Sequence, residues 1–393
     1  MIDDAAARAA RLIPGGASTG SKRPAALWGD DPTGLPTHYV RASGCRVTLA
    51  DGHELIDLTM ALGSVALGYA HPEVTERMAE ALRTGPVSGL AHPLEGLLAE
   101  RLSDIIPCAE QVRFLKTGAE GVAAALRIAR TATGRSHVVA SGYFGWLDWS
   151  SDAAGVPSGA RADVTRIPPN DVAALERAAT EHAHDLAAIV LEPVVDHAPD
   201  PAWLARARAL ATQLGAVLIF DEIKTGVRTH LGGYQVVAGV TPDLAVFGKA
   251  LSNGASLAAV VGVRAVMEAA SRTWISSTLA GEASALAAAC AVLDVAARER
   301  LPERLAHAGT LLANAARDAL ANVEGATVQG IAPMFAIHFA LESQQHAWLA
   351  ALVRHGVIAK RGAYNFAALA HDDATCDAVE RAFHAAAAEI PLP

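Results

Sequence analysis

Short apolar runs in this chain repeatedly end on residues with chemistry to offer. Val112–Leu115 leads into Lys116-Thr117-Gly118-Ala119-Glu120-Gly121, and Val138–Ala140 into Gly142-Tyr143-Phe144-Gly145-Trp146. Ile189–Leu191 is followed by Glu192-Pro193, Val217–Phe220 by Asp221-Glu222, and Val246–Phe247 by Gly248-Lys249. In an open parallel sheet, ligands bind beyond the carboxyl ends of the strands. If these runs are such strands, a hydroxyl, glycines, an aromatic ring, acids and a lysine converge on one edge.

Each residue type has a chemical use there and a plainer one. Thr117 and the N–H groups at the start of the following helix make a seat for a phosphate, and Gly118 lets the main chain approach closely. The same residues also suit an ordinary strand-to-helix turn. Tyr143, flanked by glycine, can stack on a flat heteroaromatic ring or simply pack. Asp221 closes an apolar run, where an unpaired carboxylate is costly. A protonated pyridine nitrogen relieves that cost, as does a helix cap or an ion pair. Lys249 ends another apolar run, where burial favours the neutral amine that attacks an aldehyde, whereas a lone lysine is usually a surface charge. As a set, phosphate seat, ring stacker, carboxylate for a pyridinium and Schiff-base lysine match pyridoxal 5′-phosphate (PLP), an electron sink for a carbanion at the substrate α-carbon. His182 and His184 have no companion ligands at fixed spacing and read as an exposed helix end, so no metal is expected. Trp146 and Trp149 read as packing residues or pocket walls, and Lys360-Arg361 as facing either a substrate entrance or solvent.

The elements that must position these groups follow from periodicity. Runs at Gln111–Leu115, His137–Ala140, Leu186–Leu191, Ala216–Phe220, Leu244–Phe247 and Ala258–Val263 show little polar alternation, as strands buried on both faces of a largely parallel sheet do. Helical patterns at Glu120–Thr131, Val172–Ala183 and Pro201–Leu214 lie between them, which predicts a doubly wound α/β domain. Upstream, short strands surround Asp51-Gly52, then helical patterns cover Glu73–Leu82 and Leu94–Ile105. Downstream, Ala283–Glu299, Pro302–Ala321 and Gln344–His355 read as helices, with strands near Thr327 and Val357. The expected organisation is an N-terminal segment, 1–60, joining a small α+β domain at 291–393, with a large α/β domain at 61–290 between them.

Composition sets the class. The chain has 393 residues, 52% hydrophobic and 19% charged, enough for a sizeable core, and 33 glycines with 19 prolines exclude a low-complexity chain. A net charge of −9 with scattered Lys and Arg argues against a nucleic-acid partner. Residues 1–16 have no apolar core of signal-peptide length, and the apolar stretch Ala283–Ala297 is short for a membrane span and contains Asp294. Cys45, Cys108, Cys290 and Cys376 are widely spaced and read as small buried hydrophobes in a reducing compartment. No membrane partner is expected, and the expected location is cytoplasmic.

At the strand-end residues the sequence resembles the class III aminotransferases, a branch of the fold-type-I PLP-dependent enzymes, with greatest likeness to aminotransferases of the glutamate-1-semialdehyde 2,1-aminomutase kind. The likeness covers nearly the whole chain. It runs through Ile13-Pro14-Gly15-Gly16, Leu67-Gly68-Tyr69-Ala70-His71-Pro72, Thr117-Gly118-Ala119-Glu120, Leu191-Glu192-Pro193, Asp221-Glu222-Ile223-Lys224-Thr225-Gly226, Gly248-Lys249 and Ser277-Thr278-Leu279-Ala280-Gly281. The Asp-Glu-Ile block with the later Gly-Lys is its most specific part. The resemblance implies a large domain with a mostly parallel central sheet and a smaller α+β domain built from the two chain ends.

It further implies that Lys249 forms the cofactor aldimine and shuttles the proton between α-carbon and C4′. Asp221 pairs with the pyridine nitrogen, while Ile223 and Tyr143 cover the two ring faces. Thr117, Gly118 and Ala119 hold the phosphate, and Thr278 reaches the phosphate of a neighbouring subunit in a homodimer. Glu192 and Lys22 are the substrate-side candidates. The implied reaction moves an amino group from a small-molecule donor to a carbonyl acceptor through a pyridoxamine form. The alternative is an aminomutase that moves the amine within one substrate. Several positions depart from the family pattern. Ala119 lacks a usual hydroxyl, Phe144 stands where many relatives have His, and Glu282-Ala283 replaces Asn-Pro. Lys22 and Arg23 supply the cations where the aminomutase carries a substrate-binding Arg.

Overall fold

The computed structural model describes residues 5–391. The chain divides into two compact units, one formed by Pro72–Pro302 and the other by the stretches before and after it. These divisions fall after His71 and Pro302 rather than after residues 60 and 290. The physical reason for the later division is the Ala283–Arg298 helix, whose Ala283 and Ala287 form a buried cluster with Ala81 of the Pro72–Arg83 helix. Alanines on both sides let the two helices pack closely.

In chain order, β1 (Arg41–Ser43), β2 (Arg46–Thr48) and β3 (Glu54–Asp57) form an antiparallel meander around the Asp51-Gly52 turn. The larger unit carries β4 (Gln111–Leu115), β5 (His137–Ser141), β6 (Val164–Arg166), β7 (Leu186–Leu191), β8 (Val217–Asp221), β9 (Leu244–Phe247) and β10 (Ala258–Gly262). These make one 7-stranded sheet in the order β4-β10-β9-β8-β7-β5-β6. Only β10 runs against its neighbours, pairing antiparallel with β4 and β9, while the other pairs are parallel. Every residue of β5, β7, β8, β9 and β10 is buried, which is why these strands are continuous apolar runs. β6 was not expected. It is a three-residue edge strand, half-buried at best, with too little apolar character to register.

Local chemistry sets the helix ends. Asp200 accepts the Ala202 N–H at 2.8 Å with Pro201 in the first turn, and Gly215 closes the same helix, Pro201–Leu214, in the left-handed conformation at φ 63. Gly134 does the same for Gly118–Thr133 at φ 67. The remaining strands lie in the other unit. They are β11 (Thr327–Ile331) and β12 (Met334–His338), β13 (Val357–Ile358), which extends the meander parallel to β3, and β14 (Tyr364–Phe366), which pairs with β12. The Asp373–Ala387 helix, absent from the sequence reading, is capped by Asp372 and packs Phe383 against Trp348 at 5.3 Å. All four cysteines are buried and free. Among the described residues no helix is long and apolar enough to cross a membrane. His182 departs from the exposed end expected for it. It is half-buried and its ring stacks on His137 at 3.4 Å, so the expectation holds for His184 alone.

The Leu301–Ala319 helix meets the loop before β12 closely enough to be tested. A Cβ added at Gly309 would lie 1.7 Å from the Ala332 carbonyl oxygen, so the backbone itself must yield. Gly309→Ala is expected to cost about 1–3 kcal/mol, read as a lowered melting temperature. An unchanged melt would show that the contact has slack.

Candidate active site

Parallel pairing of β8 with β9 sets Asp221 opposite Val246, just before the turn that carries Lys249. Asp221 is buried, and its Oδ1 accepts the Ile223 N–H at 3.0 Å. Burial, reinforced by the Glu192 carboxylate, pushes the Asp221 carboxyl up to about 8, against the opposing pull of the Ile223 N–H, Lys249 and Lys224. Lys249 moves the other way. Burial and then the Lys224 ammonium bring it down to about 8, although Glu192 and Asp221 oppose the shift. Its backbone is left-handed at φ 44. That conformation is uncommon for a residue with a long side chain and persists only where the surroundings hold it.

Lys224 is a member of this group that sequence reasoning passed over. Its Nζ pairs with Glu192 Oε1 at 2.5 Å, with both side chains at or below 10% exposure. Glu192 Oε2 accepts the Tyr143 N–H at 3.2 Å. Gly142 makes that approach possible, since a Cβ there would sit 2.5 Å from Glu192 Cβ. The signal for Lys224 was present in its position, three residues after Asp221 in a block flanked by apolar residues. Arg228, fully buried, is a further cation felt by Lys249. Glu222 does separate work. It is fully buried and accepts the Tyr234 and Gln235 N–H groups at 2.8 and 2.9 Å, which ties the 222–235 segment together.

The turn after β4 is closed by a capping box. Thr117 Oγ1 accepts the Glu120 N–H at 3.2 Å, and the Glu120 carboxylate accepts the Thr117 N–H at 2.9 Å. The Thr117 hydroxyl, used here as an acceptor, keeps its own proton for donation. Gly118 is held glycine by Ile223, whose Cδ1 lies 2.4 Å from where a Cβ would be. The glycine expected at the phosphate turn and the expected ring-face residue are thus in contact. Ala119 Cβ nests on Gly145, 2.6 Å from a hypothetical Cβ there. Tyr143 is 74% exposed, with its ring free of the core, while Phe144 is buried and packs on Trp149 at 5.5 Å. Trp146 is exposed.

The structure therefore joins Asp221, Lys249, Glu192, Ile223, Gly118 and Tyr143 through contacts or mutual electrostatics. Thr278 lies on an exposed turn before the Ala283–Arg298 helix. Lys22 belongs to the other unit, where it lines a largely apolar cavity of about 330 Å³ with Tyr39, Asp57 and Tyr69.

Residues 30–386 match the family model described as aminotransferase class-III. The chain belongs to that family. Class III aminotransferases use PLP to carry an amino group, and this chain is a PLP-dependent aminotransferase. It is 35% identical over 341 residues to the 2′-deamino-2′-hydroxyneamine transaminase of Streptomyces kanamyceticus, covering 85% of this chain and 86% of the relative. It is also 35% identical over 328 residues to the glutamate-1-semialdehyde 2,1-aminomutase of Rhodopirellula baltica, covering 76% and 74%. Among solved structures, the FumI protein of Sphingopyxis sp. MTA144 in its PLP internal aldimine form superposes with a TM-score of 0.93 at 26% identity, covering 98% of this chain and 95% of that one. The fold class expected from sequence, fold-type-I α/β, is what these likenesses and the mostly parallel sheet show.

The residues present fit the cofactor. A buried carboxylate with a raised pKa needs a cationic partner, a lysine near neutrality suits an aldehyde, and a glycine-opened turn suits a phosphate. The Asp221 shift has a thermodynamic consequence for the cofactor-free protein. The folded chain holds that proton up to about 8, whereas the ordinary carboxyl releases it at 3.8. Stability therefore falls as pH rises from about 4 to about 8. Asp221→Asn removes this penalty, so the cofactor-free variant is expected to melt above the parent by a margin that widens from pH 5 to pH 8. A constant margin would show that Asp221 is already ionised in the folded chain.

Proposed function

We propose that Lys249 is the residue that binds the cofactor and moves the substrate proton, with Asp221 holding the ring nitrogen protonated. The observation that carries this is the pairing at adjacent strand ends of a lysine brought down to about 8 with an acid raised to about 8. The cofactor, when bound, supplies the electron sink for the substrate α-carbon. A neutral Lys249 amine takes the proton from that carbon and returns it at C4′. Asp221, ionised by a cationic partner, keeps a proton on the ring nitrogen. Ile223 and Tyr143 cover the ring faces, and the Glu192–Lys224 pair anchors the Tyr143 loop through the Tyr143 N–H. The Thr117 hydroxyl and the N–H groups of Gly118 and Ala119 receive the phosphate.

The reading extends to a homodimer in which Thr278 serves the neighbouring site. Its exposed turn supports this, as does the adjoining apolar surface of Trp274 and Leu279, 82% and 47% exposed. Substrates are a small-molecule amino donor and a carbonyl acceptor, with Lys22 as the candidate cation for a carboxylate. Four buried free cysteines suit a reducing, cytoplasmic setting. Intramolecular transfer is the second reading, favoured by the 35% identity to an aminomutase.

Lys249→Ala is expected to lower turnover by about 10⁴-fold or more, because it removes nucleophile and base together. Near-normal turnover in that variant would end the assignment. Supplying an amine donor alone separates the two reactions. Conversion of bound pyridoxal to pyridoxamine with release of a carbonyl product marks transamination, whereas isomerisation of one substrate with no co-substrate marks the mutase. Mixed dimers of Lys249→Ala and Thr278→Ala chains test the shared site. One fully native site per mixed dimer requires Thr278 to act on its partner's cofactor when the Lys249→Ala chain supplies it, and the absence of any such site would confine Thr278 to its own subunit.

A further inference from the structure

Lys116 has no part in the chemistry above, yet its side chain joins three segments of the larger unit. At 16% exposure, its Nζ lies 3.1 Å from Glu282 Oε2 and donates to the Ser256 carbonyl at 3.0 Å. Ser256 lies between Lys249 and β10. Glu282 is equally enclosed at 16% and caps the Ala283–Arg298 helix, accepting the Ser284 N–H at 2.8 Å and the Ala285 N–H at 3.3 Å. The main chain of Lys116 is held as firmly, its N–H donating to the Glu120 carboxylate at 3.1 Å beside that of Thr117. Backbone and side chain of one residue thus fix the Thr117 turn against its own helix, the segment after Lys249, and the start of a remote helix.

We propose that the Lys116–Glu282 ion pair is a positioning clamp that fixes the Thr117–Ala119 turn and so sets how tightly it holds a phosphate group. The inference rests on the reading of that turn as the phosphate seat. Two features of the chain make a clamp effective here. Ala119 offers no hydroxyl, so beside the Thr117 hydroxyl the seat relies on backbone N–H groups, whose directions are fixed only as well as the turn is. The pair is also largely enclosed and each partner carries further hydrogen bonds, the condition under which a shielded ion pair holds its geometry. Burial opposes the Glu282 charge, but the Ser284 hydrogen bonds and Lys116 outweigh it and hold the carboxyl below its ordinary range. Glu282 is moreover one of the positions where this chain departs from the family's usual Asn.

The test compares binding of PLP with binding of pyridoxal, which has the same ring and aldehyde but no phosphate, by titrating the cofactor-free enzyme and following absorbance. Lys116→Met and Glu282→Gln are each expected to weaken PLP binding about tenfold and to leave pyridoxal binding unchanged. The double variant should be no weaker than the weaker-binding single one, since both substitutions break the same link. Gln at 282 retains an oxygen for the Ser284 N–H, and pyridoxal binding itself reports an intact site. Equal losses for the two ligands, additive losses in the double variant, or unchanged PLP affinity would overturn the clamp. Thr117→Ala separates the underlying reading. If it fails to lower the ratio of PLP to pyridoxal affinity, the seat assignment falls, and the clamp falls with it. If it lowers that ratio while the clamp variants do not, only the clamp is lost.

Discussion

The structure depends on the cost of placing opposite charges where water is excluded. Asp221 ends a strand whose every residue is buried, and Lys249 opens a turn immediately beyond another. Left to themselves, each group is driven toward its neutral form, the acid upward and the amine downward, to about the same value. Parallel pairing of β8 with β9 brings both to one edge of the sheet, where burial favours the neutral amine and the protonated acid. A cation placed against Asp221 would offset that cost, because it would favour the ionised carboxylate.

Around that pair, the remaining site residues are held less by their own bonds than by the absence of atoms elsewhere. Gly118 yields space to Ile223, Gly142 to Glu192, and Gly145 to Ala119. Each of these glycines lets one strand-end loop close on another, so the site is assembled from loops that are distant in sequence yet in van der Waals contact. The Glu192–Lys224 pair then links the loop after β5 to the segment after β8, through the Tyr143 N–H. The charges felt by Lys249 are balanced in number, Lys224 and Arg228 against Asp221 and Glu192, so burial is what decides its shift.

Much of the sheet was legible because strands buried on both faces have to be apolar throughout. The bounds of β7 and β9 coincide with the apolar runs, and the Pro201–Leu214 helix is bracketed by Asp200 and Gly215, whose capping chemistry is local. β6 was hidden because an edge strand needs neither length nor apolarity, and His182 was misplaced because its ring stacks on His137 of β5, distant in sequence. The carboxylate and the lysine were legible as a pair of costly charges, but their mutual tuning was not, since it depends on Lys224 and Glu192 arriving from separate loops.

The sequence by itself determined the alternation of strand and helix, the residue types at the strand ends, and hence the family and cofactor class, because these follow from local patterning and from which side chains can perform the chemistry. Only the tertiary structure decided which of them meet. Lys116 and Glu282 are 166 residues apart, and nothing in the local pattern of either announces the other. Contacts of that kind are fixed by sheet order and by helix docking, which are properties of the whole fold and not of any segment's own propensity.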